Sequence, residues 1–412
     1  MKIYIFVYNV IGIKCDFFNL KQDNSKFILI GSEFCLKNLS KENRNFFDEI
    51  HFITRNFHQI SFKEVESILL KYIRLYNAEN IRLLTNEEST QLVCAQLREK
   101  YYIPGNKTEQ IMPFVNKVVS KNKLNGKIRT PIFIQFDKCQ YKNHPQKYLQ
   151  HLIDKIGFPM FIKPIDLVSS IGTHYITDLN NLKSTIEQIM IEPYEFEVDE
   201  YIEGDLYHCD MIVQNNKIKF FMAGKYAYPL ARFSKGSPMG SIPVNDKKLS
   251  IELEDFSRTI LTYLGIFSSA FHVEIFRKKD SGELVFLEAA ARTPGALVPN
   301  MYEIIFNIHL EELHYQVQMD PSYDIKIKKT ENYAGWLTFP KIKGKLIEIK
   351  KPNIAINNKI INFVQSGDEL EQARSLLDSS YSIVFWDESF QKLEETFELL
   401  KAHQPLIFHT TK

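Results

Sequence analysis

Through the first hundred residues, short apolar runs alternate with stretches whose apolar positions recur every three to four residues. The runs Tyr4 to Val10, Phe27 to Ile30 and Ile81 to Leu84 predict strands. Phe62 to Ile73 and Ser89 to Lys100 predict helices with one apolar stripe. Strands alternating with helices argue for a small parallel sheet, so residues 1–110 read as a Rossmann-like lobe. That lobe has no GxGxxG turn, and no dinucleotide is expected on it. Further on, Gly157 to Pro164 is an apolar strand ending in Lys-Pro, and His174-Tyr175-Ile176 starts another. Phe271 to Gly295 reads as two strands around a polar turn at Ser281-Gly282. In the tail, Gly344 to Ile349 and Tyr381 to Trp386 predict strands, and Phe390, Leu393, Phe397 and Leu400 follow at helical spacing. The class is α/β (α+β), with no internal repeat or low-complexity tract.

Three of these segments carry chemistry. Antiparallel pairing in the hairpin brings Glu274 and Glu288 together, and two carboxylates forced together suit a hard divalent cation such as Mg²⁺. Arg292 adds a positive charge at the same edge. The competing reading is a surface hairpin whose glutamates face water. Lys163 leaves a buried strand beside a loop holding Ser169, Ser170 and Gly172, where an ammonium and backbone N–H groups can meet a phosphate. No Walker loop exists in the chain. A solvated lysine before a proline turn is the alternative. The stretch Glu197 to Gly204 alternates acidic and apolar residues and then breaks at glycine, which suits a linker near 199–204 that reads an adenine edge. A charged edge strand explains the same pattern.

Lys-Pro with a small-residue loop comes first, then Asp199-Glu200-Tyr201-Ile202-Glu203-Gly204. His272-Val273-Glu274 follows, and then Leu287-Glu288 with Arg292, Pro294 and Gly295. This order resembles the ATP-grasp superfamily, and within it the bacterial L-amino-acid ligases and carnosine-synthase-type carboxylate–amine ligases. The likeness extends from about residue 80 to 350. It takes in Glu87-Glu88, the run to Lys100, Ile103-Pro104-Gly105, and Asn116 to Lys121. The resemblance implies an ATP-grasp fold with an N-terminal Rossmann-like lobe (1–110). A nucleotide-binding region (111–325) and a C-terminal β-rich cap (326–412) would follow. It implies ATP and Mg²⁺, with Mn²⁺ as an alternative. Lys117 and Lys163 would be the ATP lysines, with Ser169, Ser170 and Gly172 over the phosphates. Asp199, Glu200, Tyr201 and Ile202 would surround adenine, and His208 or Asp210 the ribose. Glu274 and Glu288 would bind metal, and Arg292 would face the acyl phosphate. Three positions depart from the pattern. Asn116 stands where the family usually has Asp, Ala290 where it often has Asn, and Leu206 near the usual ribose acid.

Composition narrows the partners. Lys and Arg number 51 against 50 Asp and Glu, so bulk charge recruits neither nucleic acid nor membrane. The five cysteines form no CxxC, and no run approaches a membrane helix. The first residues are too short and too aromatic for a signal peptide, and cytoplasm is the expected compartment. Lys225 and Arg232 are candidates for a substrate carboxylate, with solvated loop charges as the equal alternative. Glu87 or Glu88 is a candidate for a free amino group. The expected activity is an ATP-dependent ligase joining small-molecule carboxylate and amine substrates through an acyl phosphate. A carboxylase-like or nucleotide-biosynthesis ligase, or a non-catalytic ATP-binding protein, stays open, as does a homodimer.

Overall fold

The computed structural model describes residues 1–37, 39–167 and 171–408. The chain opens with β1 (Lys2–Tyr8), β2 (Ser25–Ser32), β3 (Glu49–Ile53) and β4 (Ile81–Thr85). They form a parallel sheet in the order β3-β2-β1-β4, with an apolar cluster on each face. The helix Phe62–Leu75 begins at Ser61, whose hydroxyl accepts the Glu64 N–H, and it buries Val65, Ile68, Leu69 and Tyr72 on the sheet. The helix Glu88–Lys100 adds Val93, Cys94 and Leu97 to the same cluster. β1 stops at Tyr8, short of the apolar run. The N–H groups of Asn9 and Val10 turn aside to the Glu87 carboxylate, each at 2.8 Å, and leave the ladder.

A second, antiparallel sheet holds β5 (Phe133–Gln135), β6 (Met160–Pro164), β7 (His174–Ile176) and β8 (Phe196–Glu200), in the order β5-β8-β6-β7. The third sheet is larger. Its strands are β9 (Gly204–Gln214), β10 (Lys217–Tyr226), β11 (Met239–Pro243), β12 (Ser269–Lys278), β13 (Leu284–Ala290) and β14 (Tyr333–Pro340), together with two from the tail. The tail supplies β15 (Gly344–Ile349), β16 (Asn357–Asn362), β17 (Glu369–Leu370), β18 (Ser379–Asp387) and β19 (Leu406–Phe408). The third sheet runs β13-β12-β9-β10-β11-β14-β18-β16, and β17-β15-β19 form a small sheet of their own. Three strands beyond residue 326 therefore extend the sheet that carries the glutamate hairpin.

That large sheet is covered on both faces. The helix Lys247–Leu264 lays Leu253, Ile260, Leu261 and Leu264 on one. The helices Val298–Phe306 and Leu310–Met319 fill the other. Leu310–Met319 also reaches the first sheet, where Tyr315 and Met319 join the cluster under β1 and Glu311 accepts the Tyr8 hydroxyl at 2.7 Å. Among the described residues, no helix is long and apolar enough to cross a membrane.

Candidate active site

The second and third sheets flank a cleft whose cavity measures about 120 Å³. Lys117, Lys163, Asp199, Glu200, Glu274 and Glu288 supply its charge, and Phe161, Ile202, Leu206, Phe276 and Leu287 its apolar walls. Lys163 leaves β6 opposite Glu197 of β8, with its ammonium 2.9 Å from Asp199 and 3.5 Å from Glu197. Lys121, one turn beyond Lys117 on the helix Lys117–Leu124, reaches the same acids at 2.5 Å and 3.0 Å, with its side chain 0% exposed. Two lysines and two carboxylates thus form a closed, neutral cluster. Burial opposes charge on Asp199, but Lys121 and Lys163 outweigh it and hold the carboxyl below its ordinary range. Burial also opposes charge on Lys163, yet Asp199, Glu197 and Glu288 keep its ammonium protonated.

The helix of Lys117 starts at Asn116, whose Oδ1 accepts the Val119 N–H at 3.0 Å. Asparagine caps as well as aspartate, which accounts locally for the residue found there. Lys117 Nζ donates to Leu167 O at 2.7 Å and lies 3.7 Å from Glu288, so it links the loop after β6 to the hairpin. Gly172, at φ +69°, turns back against the Pro164 ring, and a Cβ there would press on that ring. Ser169 and Ser170 lie outside the described residues.

Glu274 on β12 and Glu288 on β13 are direct cross-strand partners, and a register shift follows at Ile275. Glu274 Oε1 accepts the Tyr226 hydroxyl at 3.1 Å and lies 3.5 Å from His272 Nε2. Burial opposes charge on Glu288, but Lys117 and Lys163 hold it below its ordinary range. Among the described residues Lys117 is the one lysine within 4 Å of either carboxylate, and His272, shared with Asp210, also faces Glu274; the two hard oxygen donors at the cleft fit Mg²⁺ or Mn²⁺.

Several residues stand elsewhere than the sequence suggests. Asp199 is spent on the two lysines. Glu200 is spent on Arg129, at 2.8 Å and 2.9 Å, and on the Ile132 N–H. Neither carboxylate is left for an adenine amino group. Ile202 lines the cleft, and the Tyr201 ring packs with Phe161 and Tyr175. His208 and Asp210 are fully buried on β9, bonded to each other at 2.7 Å, with His208 Nε2 also on Ser241. That leaves neither free for a ribose. Burial and then Asp210 act oppositely on His272, and Asp210 wins, raising it to about 9. Lys225 pairs with Asp205 at 2.7 Å, half-exposed at the ends of β10 and β9, and neither residue lines the cleft. Arg292 grips Glu88 at 2.5 Å and 2.6 Å, and its charge also favours ionised Glu288. Glu87 accepts N–H groups from Asn9, Val10 and Ile11, and burial raises its carboxyl to about 7. Both acids considered for an amino group are therefore already engaged. Lys121 and Tyr226 were not singled out for the nucleotide or the metal. The only signal for Lys121 is its place four residues after Lys117, on the same helix face.

The family model described as D-ala D-ala ligase C-terminus matches residues 125–234, which stops short of the glutamate hairpin. The L-arginine-specific L-amino acid ligase of Bacillus subtilis is 23% identical over 361 residues, 84% of each chain. The D-alanine--D-alanine ligase of Borreliella afzelii is 27% identical over 118 residues, 27% of this chain and 32% of that one. The solved L-amino acid ligase from Bacillus licheniformis matches 100% of this chain and 99% of its own, with a TM-score of 0.72 at 13% identity. An N5-carboxyaminoimidazole synthetase from Staphylococcus aureus, solved with ADP, gives a TM-score of 0.65 at 14% identity, covering 97% and 98%.

Proposed function

We propose, from the premise that this chain is an ATP-grasp ligase, that it joins a carboxylate and an amine, each a small molecule and at least one an amino acid, into an amide or peptide bond. The observation that carries this reading is the cleft itself. It sets Lys117 and Lys163 against Glu274 and Glu288 around a space also lined by Phe161, Ile202, Leu206, Phe276 and Leu287. A carboxylate is a poor acyl donor because its leaving group would be oxide. In the proposed reaction its oxygen attacks the γ-phosphorus of ATP, the bond to the β-phosphate oxygen breaks, and ADP leaves. The amine nitrogen then attacks the acyl carbon, inorganic phosphate departs, and the nitrogen loses a proton.

The residues take these roles in the proposal. Lys163 and Lys117 neutralise the phosphate oxygens. Glu274 and Glu288 hold the divalent cation, which when bound supplies further positive charge to the same oxygens. Backbone groups of Tyr201 and Ile202 read the base, since the neighbouring carboxylates are engaged. The loop of Ser169, Ser170 and Gly172 excludes water from the acyl phosphate. Arg292, released from or shared with Glu88, steadies the oxyanion. No Ser or Cys lines the described cleft, which suits a path without a covalent enzyme intermediate. The cytoplasm supplies ATP and amino acids and is the compartment we assign. A phosphate-release screen over pairs of amino acids, with mass detection of products, tests the reading. Release that depends on both partners and yields their amide supports it. ATP binding without release across the panel would contradict it.

A further inference from the structure

A chain of buried polar groups runs inward from Glu274, and neither the phosphate contacts nor the metal contacts use it. Glu274 Oε1 meets Tyr226 OH at 3.1 Å and His272 Nε2 at 3.5 Å. His272 Nδ1 lies 2.6 Å from one oxygen of Asp210. The other oxygen of Asp210 accepts Tyr302 OH at 2.6 Å and faces His208 Nδ1 at 2.7 Å. His208 Nε2 lies 2.8 Å from Ser241 Oγ, which accepts the Trp336 indole N–H at 2.9 Å. All these side chains except the cleft end are sealed from solvent. Gly224 makes room for the His208 ring, and a Cβ there would collide with it.

His208, Asp210 and His272 offer ligand-type atoms within 4.8 Å of one another. They do not make a metal site. N···O contacts of 2.6 Å and 2.7 Å are hydrogen bonds, whereas ligands each about 2.1 Å from a shared ion sit farther apart. An ionised carboxylate only accepts, so Nδ1 of each imidazole carries the hydrogen, and each Nε2 faces outward from Asp210. On the hairpin side, Tyr226 and His272 converge on the same oxygen of Glu274. The other oxygen is left to the cleft.

We propose that Tyr226 and His272 are positioning residues that hold Glu274 Oε1, so that its second oxygen faces the divalent cation. Asp210, clamped by His208 and Tyr302, sets the orientation of His272. His208 and Asp210 thereby have a task in place of ribose binding. The proposal rests on Glu274 being a metal ligand. The test is Mn²⁺ affinity of the full chain with ADP present, followed by electron paramagnetic resonance, with thermal unfolding as the control for the fold. Tyr226→Phe removes one hydroxyl at nearly constant volume. His272→Asn keeps a donor towards Asp210 and withdraws from Glu274. Each is expected to weaken Mn²⁺ by about tenfold or more, the usual effect of losing a group that orients a metal ligand. Neither is expected to add to the loss in a Glu274→Gln background. Full affinity in Tyr226→Phe and His272→Asn, beside a weakened Glu274→Gln, overturns the positioning role alone. Additive losses in that background do the same. Full affinity in Glu274→Gln overturns the metal reading itself. Should His272→Asn fail to fold, Tyr226→Phe decides.

Discussion

The second sheet meets the cleft with Lys163 already answered by acids of its own strands, whereas the third meets it with a pair of glutamates, one of them touched by a tyrosine and a histidine. On the first wall, Lys121 and Lys163 balance Glu197 and Asp199. A phosphate arriving there must draw Lys163 from a partner it already has. Lys121 stays behind, and Asp199 keeps a counterion. On the other wall, among the described residues, Lys117 approaches Glu288 only to 3.7 Å and no lysine lies within 4 Å of Glu274; the one histidine beside Glu274, His272, is shared with Asp210, so negative charge is left over for a cation. Similar residue types thus build two different sockets. One is restrained and neutral before its anion arrives. The other is electrostatically unfinished.

The largest effect that would break this contrast is on stability. Lys121→Met leaves two carboxylates sharing one lysine inside the protein. Removing one partner of a buried pair costs about 3–5 kcal/mol. The denaturation midpoint should drop accordingly, and adding Asp199→Asn should recover part of it. An unchanged midpoint would mean that the cluster does not hold the wall. Next comes Glu288→Gln, which keeps size and removes charge from the open socket. Turnover should fall about 100-fold or more while circular dichroism stays native, the scale on which a lost electrostatic group acts. Normal turnover with normal metal dependence would make the hairpin acids mere surface residues.

A third test concerns the frame behind the open socket. His314 accepts the Ala270 N–H at the start of β12 through Nδ1, at 3.0 Å, and lies 2.9 Å from Thr85 O through Nε2. Burial lowers its pKa from 6.5 to about 4. The unfolded chain therefore binds the extra proton first as pH falls. Stability from this group is complete above about pH 6.5 and is lost down to about pH 4, on the order of 3 kcal/mol in all. Unfolding of the native chain and of His314→Gln across this window checks it. Equal slopes in both would remove His314 from the account. The smallest effect belongs to the restrained socket. Lys163→Ala should weaken ATP by about 1.5–3 kcal/mol, the range for a hydrogen bond to a charged group. Calorimetry with unchanged affinity would count against the lysine as a phosphate contact.

What the sequence disclosed divides along the same line. The hairpin was legible because Glu274 and Glu288 flank a turn in two alternating runs, and one register shift absorbs the odd residue. Lys163 was legible because an apolar strand ends in Lys-Pro. Lys121 was not, since a lysine inside a helix reads as part of a solvated face until β8 is packed against it. His208 and Asp210 share a face of β9 by simple alternation, but alternation does not say whether that face meets the cleft or the interior. Asp199 and Glu200 were expected in a linker, but both lie in β8, and the partners that engage them come from 78 and 71 residues away. The end of β1 was missed for the same reason, because Glu87 captures Asn9 and Val10 across almost the whole first lobe.

The central claim is transfer of phosphate to a substrate carboxylate, and isotopic labelling tests it most directly. The chain is given ATP, Mg²⁺, an amine and a carboxylate labelled with ¹⁸O on both oxygens, and the phosphorus products are read by mass. An acyl phosphate carries one labelled oxygen away, so the account predicts ADP together with inorganic phosphate bearing a single ¹⁸O. Label in AMP, with pyrophosphate as the other product, would show adenylation and contradict the account.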